Sequence, residues 1–193
     1  MIYFLVSSYL LGSISSAIII CKIFNLPDPR TRGSKNPGAT NVLRIGGKFV
    51  AFFVLTFDGL KGAVPVYIAH HFGYNLFDLS IILLFAFLGH VFPIYYRFKG
   101  GKGVATYLGG LIGISFFVGL TFSIIWLIVA KVMKVSSIAA LIATVLSPIY
   151  FYFITTHDVR ATMVIFLINL FIYFTHRENI RRIMNGEEGV IGS

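Results

Sequence analysis

The chain is a succession of long apolar runs separated by short polar breaks. The runs cover residues 2–24, 49–70, 76–96, 104–114, 116–133, 138–155 and 159–175. A helix needs about 20 mostly apolar residues to cross a bilayer, so the first three and last two read as spans by length. The stretch 104–133 is too long for one comfortable span and short for two, and Gly109, Gly110, Gly113 and Gly119 interrupt it. Charge decides between the options. With seven spans and the N-terminus outside, Lys22, Arg30, Arg32, Lys35, Arg44, Lys48, Arg97, Lys99, Lys102, Lys131, Lys134, Arg177, Arg181 and Arg182 are cytoplasmic. Only Arg160 is then outside, and Lys61 is buried. A single crossing over 104–133 places Lys131, Lys134 and the basic tail outside, against the positive-inside rule. The stretch is therefore expected to be a short hairpin whose first half is a shallow or broken helix. The expected fold is an all-α polytopic membrane protein of about seven transmembrane helices, N-terminus outside and C-terminus cytoplasmic, forming a single domain over 1–193.

Composition agrees. Of 193 residues, 57% are hydrophobic and 12% charged, too few charges for a water-facing surface, which carries nearer a quarter. No second, soluble domain fits in what remains. The net charge of +9 points, in such a protein, to basic inner loops and anionic ligands or head groups rather than to nucleic acid. Cys21 is alone, so there is neither an internal disulfide nor a thiolate cluster. Residues 1–20 lack a basic n-region, and no small-residue cleavage site follows, so they read as a retained first span.

Four polar segments, 25–48, 97–103, 131–137 and the tail from His176, then share one face. The first carries Gly33, Gly38, Gly46 and Gly47 among Pro27, Pro29 and Pro37. Glycine lets backbone N–H groups approach a ligand, and proline holds turns. Ser34, Asn36, Thr40 and Asn41 add neutral hydrogen-bonding groups; Arg30, Arg32, Lys35 and Arg44 add charge. Donors and cations around glycine turns suit a phosphate, although basic residues alone are equally the mark of an ordinary inner loop.

In the second segment Gly100, Gly101 and Gly103 flank Lys102 just before a helix, where free N–H groups attract anions. It is not a Walker loop, since Tyr96 stands at the first glycine position and Gly103 follows the lysine. A plain loop is the alternative. In the third, Ser136 and Ser137 precede an apolar run; helix capping explains them most simply, with a ligand contact also open. The runs beginning at Phe49, Val104 and Ile138 all start on the inner side, so three positive helix ends face one way and favour a multiply charged anion. The tail reads as a continuation of the last span that stops near Gly186. His176 and Asn179 share a face with Ile183, and Glu178 and Arg182 are spaced for an i,i+4 pair. An amphipathic tail lying on head groups is the other reading.

Within the apolar runs, Asp58 and Lys61 are spaced to pair with one another at a close helix crossing marked by Gly59, Gly62 and Pro65. His90 reads as a bundle histidine with its polar needs met. No zinc-protease, Cys-x-x-Cys or nucleophile-elbow motif is present, no carboxylate pair suggests glycoside hydrolysis, and no histidine has an aspartate five residues on.

These segments resemble the PlsY family of bacterial acyl-phosphate:glycerol-3-phosphate acyltransferases. The matching stretches are GSISSA at 12–17, PDPRTRGSKNPGATNVLR at 27–44, DGLKGAVPV at 58–66, GHVFPIYYRFKGGKGVAT at 89–106, KVSSIAAL at 134–141 and THRENIRRIMNGEE at 175–188. The resemblance implies an acyltransferase of the bacterial inner membrane, active on its cytoplasmic side in the first step of phospholipid synthesis. It moves a fatty acyl group from acyl phosphate to the 1-hydroxyl of glycerol 3-phosphate, without cofactor or metal. The expected catalytic residues are Ser34, Arg44, Lys102, His176 and Asn179. The expected substrate- and phosphate-binding residues are Gly33, Asn36, Gly38, Thr40, Asn41, Gly100, Gly101, Gly103, Ser136 and Ser137. Either a donor phosphate oxygen or His176 is the base. From the residues alone, a phosphate or organic-anion transporter is the main rival and a non-catalytic lipid-binding subunit the third option. The transporter reading is weakened by polar groups crowding one face and by the lack of an internal repeat.

Overall fold

The computed structural model describes residues 1–191, which contain nine α-helices and no strand. They are α1 (Ile2–Gly12), α2 (Ser16–Ile23), α3 (Ala39–His71), α4 (Leu76–Val91), α5 (Val104–Ile114), α6 (Phe116–Met133), α7 (Ser136–Ile154), α8 (Val159–Thr175) and α9 (Arg177–Met184), with a 3₁₀ turn at Ile94–Tyr96. Four of these, counting α4 with the 3₁₀ turn, are long and apolar enough to cross a membrane. The pairs α1–α2 and α8–α9 raise the number to six if each bent pair is one span. Fully buried Phe87, Tyr107, Leu111, Ile165 and Ile168 form the core. Phe52, Leu127, Val132 and Phe166 stand on the outer surface, the inverse of a water-soluble bundle and the arrangement lipid requires.

The expected first span is not straight. It breaks after Gly12 and resumes at Ser16, bent by 41°. Ser13 turns its hydroxyl back onto the Tyr9 carbonyl at 2.8 Å. The break leaves the Ile14 carbonyl without a helical partner, and the Lys61 ammonium supplies one at 2.8 Å. The second run also differs: the helix begins ten residues before Phe49, at Ala39, and is kinked at Gly47, whose φ of 77° lies outside the helical range. The tail does not simply extend α8. It bends by 57° at His176 before α9, and Gly186 takes a φ of 71° just beyond.

The connections alternate between two ends. At one end His70, Tyr74, Ser115 and Thr155 share a recess, and the N-terminal amine donates to the Tyr74 hydroxyl at 2.9 Å. The four polar segments gather at the other. The expected hairpin at 104–133 is present, turning at Ser115. Its first arm, α5, has 11 residues and is only ~16 Å long. It still reaches the far end because the 97–103 segment dips into the bundle beside the last turn of α4. There the Gly100 N–H donates to Val91 O at 3.1 Å and the Gly101 N–H to His90 O at 3.2 Å. α5 lies backbone to backbone against α3: a Cβ on Gly62 would fall on the Thr106 carbonyl, and one on Gly109 on the Gly59 carbonyl.

Candidate functional site

The 25–38 loop is built around Asn41. This buried side chain accepts the Ser34 N–H at 2.9 Å and donates to the Pro29 and Arg32 carbonyls at 2.8 and 3.1 Å. Gly33, with φ of 56°, leaves no room for a Cβ beside the Asn41 amide oxygen. Asn41 therefore shapes the loop from inside. At the loop's start Arg30 grips Asp28 at 2.6 Å; its side-chain hydrogen bonds hold the Asp28 carboxyl below the usual value.

The loop, the N-termini of α3, α5 and α7, and the tail enclose a cavity of about 720 Å³. Thirteen of the fifteen expected site residues line it: Gly33, Ser34, Asn36, Gly38, Thr40, Asn41, Arg44, Lys102, Gly103, Ser136, Ser137, His176 and Asn179. Gly100 and Gly101 do not. Their N–H groups are taken by the Val91 and His90 carbonyls, and their bare Cα atoms pack on the end of α4, so they anchor the loop to that helix. The three helix N-termini converge as expected, but α3 contributes the one at Ala39, not at Phe49. A positive end of this kind stabilises an anion held near it.

Side chains from distant elements meet across this cavity. The Lys102 ammonium donates to the Asn179 amide oxygen. The Thr40 and Ser136 hydroxyls lie 3.2 Å apart. Ser137 donates to Glu188 Oε1 at 2.7 Å. Neither serine caps α7, whose N-cap is Val135, so the capping expectation gives way: both hydroxyls turn across the cavity. Arg44 reaches the Gly189 and Val190 carbonyls at 3.4 Å each. The Nδ1 of His176 lies 2.8 Å from Ile172 O. A carbonyl only accepts, so Nδ1 carries the proton and the neutral ring offers Nε2 as an acceptor.

Sequence reasoning missed Glu188. Its Oε1 also accepts from Asn179 Nδ2 at 2.6 Å, and Arg182 Nε donates to its Oε2 at 2.7 Å. Arg182 thus pairs with Glu188 and not, as its spacing suggested, with Glu178 one turn back, whose side chain is exposed. The available signal was an acid just past a glycine in a basic tail. Burial works to raise the Glu188 carboxyl, but the hydrogen bonds from Ser137, Asn179 and Arg182 outweigh it and hold it below its ordinary value. Burial lowers Lys102 to about 8; Glu188 opposes the shift, and Arg182 and Arg44 add to it.

The cavity changes character with depth. Beyond Lys102 its walls are mostly apolar, Leu108 of α5, Phe122, Trp126 and Leu127 of α6 and Leu55 of α3, with Ser123, Asp58 and His90 among them. Leu55 and Leu127 also stand on the outer flank of the bundle. One compartment therefore joins a cationic, donor-rich mouth to an apolar trough, the walls an amphiphile with an anionic head requires.

The sequence profile of the family described as glycerol-3-phosphate acyltransferase matches residues 2–186. A glycerol-3-phosphate acyltransferase of Ruthia magnifica subsp. Calyptogena magnifica is 58% identical over 98% of this chain and 96% of its own length. One from Thioalkalivibrio sulfidiphilus is 50% identical over 96% and 91%. Among solved structures, PlsY (YgiH), an integral membrane glycerol 3-phosphate acyltransferase, superposes in its glycerol 3-phosphate form with a TM-score of 0.93. The identity is 36%, covering 99% of this chain and 95% of that one. Its lysophosphatidic acid form gives a TM-score of 0.90 at 35% identity, with the same coverage.

Proposed function

The chain belongs to the glycerol-3-phosphate acyltransferase family, and on that premise we propose that it transfers a fatty acyl group from acyl phosphate to the 1-hydroxyl of sn-glycerol 3-phosphate. The products are lysophosphatidic acid and inorganic phosphate. The observation that carries the reading is the cavity's two-part wall: a mouth lined by Arg44, Lys102, Ser136, Ser137, His176 and Asn179, continuous with the Leu108–Phe122–Trp126 trough. Both substrates are phosphates, and one has a chain that belongs in lipid.

In this reading the 33–41 loop, with the N-terminus of α3 behind it, holds the acyl-phosphate head, and Arg44 and Lys102 neutralise phosphate charge. Ser136, Ser137, His176 and Asn179 orient the glycerol. The hydroxyl oxygen attacks the acyl carbon, the bond from that carbon to the phosphate oxygen breaks, and the hydroxyl proton leaves on the released phosphate. Cations standing where charge accumulates stabilise the transition state, and holding both substrates in one cavity removes much of the entropic barrier. Acyl phosphate is already activated, so a substrate phosphate oxygen suffices as base. His176 Nε2 is the rival acceptor.

The protein is placed in the bacterial inner membrane with this end of the bundle in the cytoplasm, N-terminus outside and C-terminus inside. The concentration of Lys and Arg at the cavity end supports that orientation. The test is phosphate release by purified protein in detergent given acyl phosphate and glycerol 3-phosphate, with acyl-CoA as a parallel donor. Release from acyl phosphate that requires glycerol 3-phosphate is expected. Transfer from acyl-CoA alone overturns the donor, and transfer from neither overturns the reading.

A further inference from the structure

A buried polar cluster outside the reading above reaches the site from behind. Asp58 and Lys61, one turn apart on α3, pair at 2.6 Å with side chains 3% and 6% exposed. Ser16, the first residue of α2, donates to the same carboxylate oxygen. Lys61 donates to Ile14 O, freed by the α1–α2 break, and lies 3.2 Å from His90 Nδ1. An ammonium can only donate, so Nδ1 receives and His90 carries its proton on Nε2. That locks one edge of the ring. Against the other edge stands Gly101: a Cβ there would land on His90 Nε2. Gly101 is not in the left-handed region, so its backbone does not demand glycine; the ring does. Asp58 and His90 both reach the cavity wall.

We propose that His90, locked by Lys61 and Asp58, is a positioning residue that sets the depth of the 100–103 loop and so the place of the Lys102 ammonium. Its kinetic consequence rests on the acyl-transfer reading; its structural consequence does not. An ion pair inside a lipid-embedded bundle is costly and is retained where it specifies something. Here it fixes a direction that apolar packing does not: α1–α2, α3 and α4 meet around Lys61 and the His90 ring, and the loop carrying Lys102 hangs from the His90 backbone carbonyl by a peptide hydrogen bond and stands against the ring where Gly101 lacks a methyl.

The test is a double-mutant cycle of His90→Ala and Gly101→Ala in purified protein, with two readouts besides thermal stability. The first is kcat for acyl transfer. The second is the rate at which an amine-reactive reagent labels Lys102, followed on its peptide by mass spectrometry. Each single variant should lower kcat on the order of 10- to 100-fold, the scale of a small misplacement, and speed Lys102 labelling several-fold. The double variant should recover part of both, because the new methyl enters space the imidazole leaves. Gly101→Ala keeps the ionic cluster whole and reports on Lys102 even where His90→Ala does not fold. Unchanged labelling in both singles, or losses that multiply without recovery, overturns the proposal. If the wild-type chain transfers no acyl group, the functional reading falls, and the labelling cycle still decides the positioning role.

Discussion

The Asn179 amide donates to the Glu188 carboxylate at 2.6 Å, while its oxygen accepts from Lys102. Through this one amide an anion of the tail and a cation of the glycine loop are held on either side of a side chain that lines the cavity. Breaking it therefore disturbs charge placement before it disturbs the fold.

Glu188→Gln tests that arrangement. The substitution keeps the shape but sets an NH₂ against one of the donors Ser137, Asn179 and Arg182. Glu188 holds Asn179, which holds Lys102, and a misplacement of about 1 Å at a site can cost about 100-fold, so acyl transfer is expected to fall on the order of 10- to 100-fold. Because the residue lies beyond α9, the melting temperature in detergent should change little. Steady-state kinetics beside a thermal melt check both parts.

Arg44 and Lys102 are expected to matter far more to rate than to folding. Arg44 is exposed, and Lys102 lies in a loop. Arg44→Ala and Lys102→Ala should each cost about 100-fold or more in turnover, the scale of losing a group aimed at developing charge, with monodisperse protein still recovered. Near wild-type transfer by either variant removes that residue from the site.

The pH dependence follows from Lys102. Burial lowers it to about 8, and the reaction as proposed needs the charged form. The rate should therefore hold below that pH and fall as pH rises through about 8. In Lys102→Arg the guanidinium stays charged, so whatever activity survives should lose this alkaline limb up to about pH 10. A limb unmoved by the substitution assigns it to another group.

Gly62→Val tests the α3–α5 crossing. The added Cβ meets the Thr106 carbonyl, a backbone atom that cannot turn aside. Overpacking of this kind costs about 1–3 kcal/mol. The variant should melt lower than wild type in detergent, and lower than Glu188→Gln, which checks that this contact is structural while the tail contact serves the site.

The apolar runs and the charge between them were enough to foresee a hairpin within 104–133, though not its turn at Ser115, together with the Asp58–Lys61 pair and the gathering of four polar segments at one end. Lipid allows backbone polar groups few alternatives to the helix, so hydropathy along one dimension already contains those features. Partner choice among groups with several chemically equal options was not legible there. Arg182 had Glu178 at helical spacing yet bonds Glu188, because the bend at His176 brings the tail back over the cavity. Gly100 and Gly101 had the look of free anion-binding donors, yet the dip beside α4 takes up their N–H groups. Ser136 and Ser137 had the look of caps and instead face the cavity. Hydrogen-bond donors carry no address in the sequence. Which acceptor each one finds depends on helix breaks and close crossings, set by packing between segments far apart in the chain.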